Sequence, residues 1–248
     1  MRKLSLFFVA LFLFAFVAQA QTVDEIVAKN IAAKGGLSKL KALQTARITG
    51  SSAIGEMQAG FVLVQKRPDK VRQEISIQGL TMVQAYDGKN GWQIVPFTGK
   101  KDPEPMSGDE LKAIQEQADF DSPLVDYKQK GHKVELVGKE QVDKAGTFHL
   151  RLTLKNGSVR ELYLDDHSFL EIKTEEKINQ GGQQAVSVST MGDYKEVEGM
   201  MVPFSIEQRI KDGQGPGQKL AIQKVEFNVR VDDSVFVLPA PAPQPAPK

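Results

Sequence analysis

Residues 147–155 read TFHLRLTLK, a stretch in which every second side chain is apolar. Because side chains alternate between the two faces of a β-strand, this period of two predicts a strand with one buried face and one solvated face. Antiparallel sheets commonly have one such buried face. The residues on the predicted buried face are Phe148, Leu150, Leu152 and Leu154.

The same period of two recurs along the chain. YDGKNGW at 86–92 separates two such runs and carries the Asp-Gly and Asn-Gly pairs of hairpin turns. Sequential hairpins predict an antiparallel meander, and many twisted strands tend to curl. We therefore expect a mainly β fold with a single strongly curved antiparallel sheet, an incomplete β-barrel of about 11 strands. The other runs lie near 46–52, 59–67, 70–78, 80–87, 91–97, 133–142, 158–165, 168–179, 183–192, 200–211 and 218–231.

Two segments have helical spacing instead. TVDEIVAKNIAAK at 22–34 opens with Thr22 and, three residues on, Glu25, which together form a capping box, and a Gly-Gly pair ends it. A shorter helical turn follows in LSKLKAL. The second helical segment is 107–120, where Ser107 can act as N-cap. We expect the helices to close the sheet as a lid. The lid residues predicted to face the sheet are Leu111, Ile114 and Phe120.

The two ends of the chain differ in composition from the rest. Residues 1–20, MRKLSLFFVALFLFAFVAQA, have a basic start, an apolar run and a small-x-small ending, as in a cleaved secretory signal peptide. The apolar run is short for a membrane span, which needs about 20 residues. Residues 240–248 alternate proline with other residues and are predicted to form an extended Pro/Ala-rich tail. We therefore expect one exported domain at 21–239.

Composition excludes several classes of protein. The chain has no cysteine, which excludes a disulfide framework, thiol catalysis, Cys-ligated zinc and a lipid anchor on an N-terminal cysteine. The formal net charge is +1, and loss of Arg2 and Lys3 with the signal peptide would make it −1. A chain so close to neutral has no net-charge attraction for nucleic acid, and we expect no such partner.

The sequence carries no complete motif of a catalytic, metal or cofactor site. G-x-S-x-G and H-E-x-x-H are absent, and SKLK at 38–41 matches S-x-x-K without partner motifs. His132, His149 and His167 lack the spacing of metal ligands. We therefore expect no catalytic residues, no metal and no cofactor, and a protein that is not an enzyme. A hydrolase that acts on envelope lipids through an unidentified acid pair is the enzymatic alternative.

A charge cluster lies at the start of one predicted strand, in KRPDKVRQE at 66–74. This basic cluster would suit a phosphate grip, a blunted sheet edge, or a latch that holds another element onto the sheet. The simplest alternative is that Lys66 and Arg67 only solvate the strand end while Pro68 makes the turn. The residues alone leave these explanations open.

The predicted sheet has more apolar surface than two helices clearly cover. If the helices fill its concave face completely, the interior is an ordinary core; if they act as a lid over a gap, the gap is an apolar cavity for a lipid-like ligand. Sequence periodicity does not distinguish the two cases. The residues expected to line the interior are Val71, Ile75, Ile77, Phe148, Leu150, Leu152, Phe204 and Ile206.

Six stretches, in order across about residues 22–239, are similar to the LolA/LolB-like carriers, and more closely to the exported branch described as outer-membrane lipoprotein-sorting proteins. The resemblance implies an incomplete β-barrel closed by helices. It also implies a carrier that moves lipoproteins across the periplasm while it shields their acyl chains in an apolar hollow. The stretches are VDEIVAKNIAAKGGLSKLKAL, KRPDKVR, VQAYDGKNGWQIVPF, EQADFDSPLVDYKQKGHKVELVGKE, DYKEVEGMMVPFSIE and DDSVF.

The resemblance also assigns one residue role. It implies that Arg67, the arginine of the K-R-P segment, hydrogen-bonds to the helical lid and holds it shut without ligand. We therefore predict a soluble, monomeric periplasmic carrier with lipoprotein or lipid-like cargo and with membrane-bound donor and acceptor proteins as partners. The alternative is a cell-envelope interaction module that has a filled core and carries nothing.

Overall fold

The computed structural model of the protein describes residues 21–99, 102–180, 183–213 and 215–239. The predicted signal peptide and the terminal tail lie outside the described residues. The helices are α1 (Val23–Ala33), α2 (Leu37–Ala42) and α3 (Gly108–Gln117). The strands are β1 (Thr45–Ile54), β2 (Met57–Lys66), β3 (Lys70–Ile77), β4 (Leu80–Tyr86), β5 (Gly91–Ile94), β6 (Glu104–Pro105), β7 (Lys133–Val142), β8 (Ala145–Thr153), β9 (Val159–Asp165), β10 (Glu171–Gln180), β11 (Gln183–Val197), β12 (Met200–Ile210) and β13 (Gln218–Phe227).

These strands form one antiparallel sheet with the order β6-β5-β4-β3-β2-β1-β13-β12-β11-β10-β9-β8-β7. The first and last strands, β1 and β13, therefore pair in the middle of the sheet, and β6 and β7 are its edges. The predicted mainly β, single-sheet fold is confirmed. The described part of the chain has thirteen strands rather than about eleven. Twelve of them correspond to the periodic runs, and β6 has only two residues and is too short for periodicity to reveal.

The sheet is curled, and α3 shows how strongly. Gln117 of α3 donates a hydrogen bond to Gln73 of β3, while its neighbour Glu116 accepts one from Arg160 of β9. In a flat sheet, with about 4.8 Å between adjacent strands, β3 and β9 would lie about 34 Å apart. Adjacent residues of one helix do not span that distance, so the sheet wraps around α3. We call the side that faces the helices the inner face and the other side the outer face.

The helix ends follow local sequence signals, with one correction. The capping box of α1 is present, because the Thr22 hydroxyl accepts from the Glu25 N–H and the Glu25 carboxylate accepts from the Thr22 N–H. Gly35 ends α1 with φ +122°, where a Cβ would collide with the Gly199 carbonyl oxygen. α3 ends at Gln117, three residues before the predicted end. Phe120 therefore lies beyond the helix rather than on it.

The main core lies between α1 and strands β7 to β9. The apolar side chains of residues 147–155 are part of this core. The outer face of β8 is less solvated than predicted, because His149 is only 7% exposed. Its ring stacks on Tyr163, and its two nitrogens contact Glu140 and Glu161 at 2.7 and 2.8 Å. The buried core residues are Ile26, Val27, Leu124, Val134, Phe148, Leu150, Leu152, Leu154, Leu162 and Leu164.

Candidate functional site

Arg67 follows the last residue of β2 and ties three parts of the chain together. Its Nε donates to the Leu43 carbonyl at 2.6 Å and its Nη2 donates to the Leu40 carbonyl at 2.8 Å, at the C-terminal end of α2. The Leu40 carbonyl also accepts from the Leu43 backbone N–H at 3.3 Å, so Arg67 adds a second donor there and supplies a side-chain donor to the Leu43 carbonyl beyond the helix. Arg67 Nη1 donates to Asp121 Oδ2 at 2.8 Å, and Nη2 also contacts Asp121 Oδ1. The guanidinium lies 4.7 Å from the ring centre of Phe120.

Asp121 is the acidic centre of this contact. Its side chain is 8% exposed, and Lys41 Nζ lies 2.7 Å from Oδ2. Burial alone would raise the pKa of this carboxyl, but the hydrogen bonds from Arg67 and Lys41 outweigh burial and lower its pKa to about 2. Asp121 is therefore ionised at neutral pH, and the arginine donors that face it are already occupied by the protein.

The helix α3 is held over β3 to β5 by a small apolar contact. Its buried residue Ile114 packs with Val71 and Tyr86. Leu111 of α3 adds a half-buried apolar contact to the same cluster. This cluster is separate from the main core beneath α1.

A row of glutamines follows this cluster along the inner face. Gln73, Gln84 and Gln93 occupy directly paired positions of β3, β4 and β5, and their side chains hydrogen-bond in series. Gln117 of α3 donates to Gln73 at 3.1 Å, and Glu110 of α3 accepts from Gln93 at 3.0 Å. The glutamine row and its hydrogen bonds to α3 therefore lie along the edge of the sheet surface that α3 covers.

Four of the eight predicted lining residues lie beneath helices. Val71 is buried under α3, and Phe148, Leu150 and Leu152 are buried in the main core under α1. In this arrangement helices cover all four, and a ligand would reach them only after a helix moved. Their lining role stays a prediction.

The other four predicted lining residues are half-buried and belong to an apolar surface of the inner face outside the buried clusters. Ile75 and Ile77 share the inner face with Val71, because they follow it at even spacing in β3. Ile206 pairs directly with Leu220 of β13, which in turn pairs with Ser52 of β1 on the same face. No buried cluster of the described residues includes these side chains. We call this surface the apolar band; its residues are Phe61, Ile75, Ile77, Leu80, Phe204, Ile206 and Leu220.

The band reaches solvent at the hairpin tips of the sheet. Leu80, which pairs with Ile77, is 42% exposed. Ile54 and Met57 pair at the β1–β2 tip and are 45% and 52% exposed. Both tips lie at the end of the sheet away from α2, because α2 leads directly into the start of β1. The covered and uncovered parts of the inner face therefore lie at opposite ends.

Two cavities adjoin the helices on the inner face. A cavity of about 150 Å³ lies among α1, α2 and Phe120, the predicted lid residue. Space of this size holds a benzene-sized group rather than an acyl chain. A second, larger cavity of about 520 Å³ lies between α3 and strands β9, β10 and β12. The interior is thus partly filled in this closed arrangement. Residues of the second cavity include Glu116, Arg160, Leu162, Thr174, Glu176 and Ile178.

The described residues contain no group of three or more His, Asp or Glu side chains arranged to hold a metal ion. His167 in the DDH sequence is 93% exposed, and the neighbouring Asp165 accepts hydrogen bonds from the backbone N–H groups of the turn. Within the part of the chain that the structure describes, no helix has the length and apolarity to cross a membrane.

Sequence reasoning missed the partners of the predicted residues. Asp121, Glu116 and Arg160 have no local motif, since their contacts join segments far apart in the chain. The glutamine row did leave a signal, because each of β3, β4 and β5 has one glutamine on an otherwise mostly apolar face.

No protein-family model and no curated protein match this sequence, but solved structures do. A LolA superfamily protein from Nitrosomonas europaea has a TM-score of 0.60 at 15% identity, over 88% of this chain and 98% of that chain. A DUF1329 family protein from Desulfovibrio piger has a TM-score of 0.60 at 12% identity, over 87% and 97%.

A third solved structure is an outer membrane lipoprotein-sorting protein domain from Vibrio parahaemolyticus. Its TM-score is 0.56 at 12% identity, over 86% of this chain and 94% of that chain. At such identities the likeness concerns the fold alone. Each of the three matches covers most of both chains. This chain has a LolA-like fold.

Proposed function

We propose that this protein is a soluble periplasmic carrier that shields the acyl chains of a lipoprotein, or another lipid-like ligand, on the inner face of its sheet, in outer-membrane lipoprotein sorting. The observation that carries the proposal is the apolar band, a half-buried apolar surface on the inner face of a curled sheet and outside its buried clusters. Partly exposed apolar surface in a concave sheet is typical of a ligand or partner site in a water-exposed protein. The LolA-like fold supports the same conclusion.

In this proposal the described arrangement is the closed, unliganded state. The cavity among α1, α2 and Phe120 is too small for an acyl chain, and in this proposal α3 and the segment that follows it move when a ligand enters. Arg67 acts as the latch, since its contacts join the end of β2 to α2 and to Asp121 after α3. Its release exposes the inner face from beneath the lid.

The lid also makes cargo release possible. Each buried CH₂ contributes about 0.8 kcal/mol, so a chain of about 14 methylenes would gain on the order of 11 kcal/mol on transfer from water. Opening the lid breaks interactions that the protein makes with itself, and the free energy of breaking them offsets part of that gain. The bound and empty states thereby come close enough in free energy for exchange.

The remaining predictions enter as parts of the same proposal. Residues 21–239 form the domain, residues 1–20 direct export and are cleaved, and residues 240–248 are a tail. The carrier is monomeric, receives cargo from a membrane-bound donor and delivers it to a membrane-bound acceptor. It has no catalytic role. All of these points can be tested on mature protein purified from the periplasm.

The first test is native mass spectrometry of that mature protein, followed by identification of anything extracted from it. We expect a co-purifying lipid or acylated peptide, and uptake of the apolar dye N-phenyl-1-naphthylamine by the delipidated protein. A mass without ligand together with no dye uptake would contradict the carrier function and favour the envelope module with a filled core.

A matched pair of variants locates the site. Ile77→Asn places an amide in the apolar band, whereas Ser76→Asn makes a polar change on the outer face of the same strand. We expect Ile77→Asn to weaken dye binding about tenfold, because a polar group then has to be buried against the ligand. Ser76→Asn should bind as the parent protein does. Equal binding by all three proteins would place the ligand elsewhere.

A further inference from the structure

One carboxylate joins α3 to the β9 side of the sheet. Glu116 Oε2 accepts from Arg160 Nη2 at 2.5 Å, and its other oxygen accepts from Asn156 Nδ2 at 2.6 Å and from Ser158 Oγ at 2.7 Å. The Glu116 side chain is 11% exposed, so these hydrogen bonds are largely shielded from water. On this side α3 is therefore held mainly through Glu116, and a longer hydrogen bond of 3.3 Å joins Asn179 of β10 to Asp109 of α3.

The guanidinium of Arg160 is incompletely satisfied. Its Nε is buried and makes no hydrogen bond, although Glu176 Oε1 lies 3.1 Å away, because the N–H does not point at that oxygen. A guanidinium presents five N–H donors in a planar fork that matches carboxylate and phosphate groups. Arg160 thus forms ion pairs with Glu116 and Glu176, but its Nε–H donor is left without a hydrogen bond.

The ion pair also stands between two cavities. On the inner side lies the cavity of about 520 Å³, and on the other side lies a groove of about 710 Å³. Glu116, Arg160 and Pro123 line both spaces, so a molecule that extended from one to the other would pass this pair.

Both spaces combine apolar and charged side chains. The inner cavity includes the apolar side chains of Leu162 and Ile178 among its walls. The groove shares Arg160 with the inner cavity, and its wall combines the apolar side chains of Pro68, Pro123 and Leu154 with polar ones. Its charged or titratable residues are Asp69, Glu116, Asp119, Lys130, His132, Lys155 and Arg160. A molecule with an apolar chain and a polar head matches this pair of spaces better than a wholly apolar one.

We propose that Arg160 receives the anionic group, a phosphate or a carboxylate, of an amphipathic ligand, and that Glu116 occupies the same place while α3 is closed. This inference rests on the proposed carrier function and specifies the class of cargo. When α3 opens, Glu116 leaves and the guanidinium turns to the ligand. An anionic head group replaces the charge-assisted hydrogen bond that Arg160 loses when Glu116 moves away, whereas a neutral head group does not replace it.

The test compares ligands that share a palmitoyl-length chain and differ in their heads. Palmitate, hexadecyl phosphate and the neutral monopalmitoylglycerol are titrated against the mature protein loaded with N-phenyl-1-naphthylamine, and dissociation constants are taken from dye displacement. We expect both anionic ligands to bind about tenfold more tightly than the neutral one. Inorganic phosphate is titrated separately and should displace no dye and protect the protein from unfolding only weakly.

Two variants and one control assign the preference to Arg160. Arg160→Gln should remove the anionic preference and leave neutral binding unchanged. Glu116→Gln should tighten anionic binding several-fold, because the competing carboxylate is gone. Arg151→Gln is the matched control, since Arg151 pairs with Glu161 on the outer face of the same sheet region and should alter neither constant.

Each other outcome overturns the inference. Equal affinity for neutral and anionic chains overturns it while leaving the carrier function intact, whereas no binding of any chain overturns both. Stabilisation by inorganic phosphate as strong as that by hexadecyl phosphate would make this a free-anion site. A preference that survives Arg160→Gln would assign the anion to another residue. If Arg160→Gln does not fold, unchanged anionic binding in Glu116→Gln decides against the proposal.

Discussion

Helices α1 and α3 cover the same face of the sheet, but they are held there in different ways. α1 buries Ile26 and Val27 in the main core, with the buried strands β8 and β9 beneath them. α3 buries one residue, Ile114, and its other contacts to the sheet are largely hydrogen bonds from glutamine, glutamate and arginine side chains.

This difference separates a structural helix from a lid. Buried apolar side chains contribute about 1.5–3 kcal/mol each, whereas the net contribution of a hydrogen bond is about 1 kcal/mol, since water replaces it when the contact opens. Detaching α1 would expose the main core, while detaching α3 would expose a small cluster and polar groups that water solvates. We therefore expect α3 to open without global unfolding.

The largest expected effect comes from truncating the buried central residue of each helix, which tests whether α1 and α3 differ in their contribution to stability. Ile26→Ala should lower the free energy of unfolding by about 3 kcal/mol, because it leaves a cavity in the main core. Ile114→Ala should cost less than about half as much, since opening of α3 limits the loss. Urea unfolding measures both values.

Hydrogen exchange of the parent protein tests whether α3 opens locally, as the comparison of Ile26→Ala with Ile114→Ala assumes. Amides of α3 should exchange through local opening, and amides of α1 only with global unfolding. Equal losses of stability, with equal protection of the two helices, would mean that α3 belongs to the core and is no lid.

The second prediction tests the latch. Arg67→Leu should lower the free energy of unfolding by about 2 kcal/mol, because it leaves Asp121 with Lys41 alone and frees two carbonyls of α2. It should also raise the rate at which dye enters the protein. Arg151→Leu, which breaks an exposed ion pair of the outer face, should do neither.

Arg67 acts as a latch only if the substitution changes both the free energy of unfolding and the rate of dye entry. Loss of stability without faster dye entry would make Arg67 a structural residue. No effect on either measurement would leave the simple solvated strand end as the explanation.

The third prediction concerns the pH dependence of the same contact, whose effect on the free energy of unfolding is at most as large as that of Arg67→Leu. The pKa of Asp121 is about 2 in the folded protein against an ordinary value of 3.8, so its ionisation favours the folded state. That contribution, up to about 2 kcal/mol, is complete above the ordinary pKa and is lost as the pH falls through about 2.

Asp121→Asn supplies the control. The stability difference between the parent protein and the variant should be constant above pH 5 and shrink between about pH 4 and pH 2. Unfolding free energies at several pH values measure it. A difference that did not change over that range would place the origin of acid sensitivity at other carboxyl groups.

Much of the fold could be predicted because its signals are local. The alternation in β8, the capping box at Thr22 and the turn residues between strands each act within a few residues. The exceptions are also local in origin. β6 is too short to show a period, and the end of α3 before Phe120 was not predicted because no residue there is a clear helix stop signal. The candidate site was predicted less completely, since periodicity assigns a face and does not say what covers it.

The sequence by itself determined the antiparallel sheet, its apolar face, the first helix and the position of Arg67. The tertiary structure alone decided that Leu150 and Leu152 lie under α1 while Ile75 and Ile77 stay half-buried outside the buried clusters. It also decided that Arg67 meets Asp121 and that Arg160 meets Glu116. The physical reason is the range of the interactions. Strand period, caps and turns depend on neighbours in the chain, whereas cover and ion pairing depend on how far a long sheet curls.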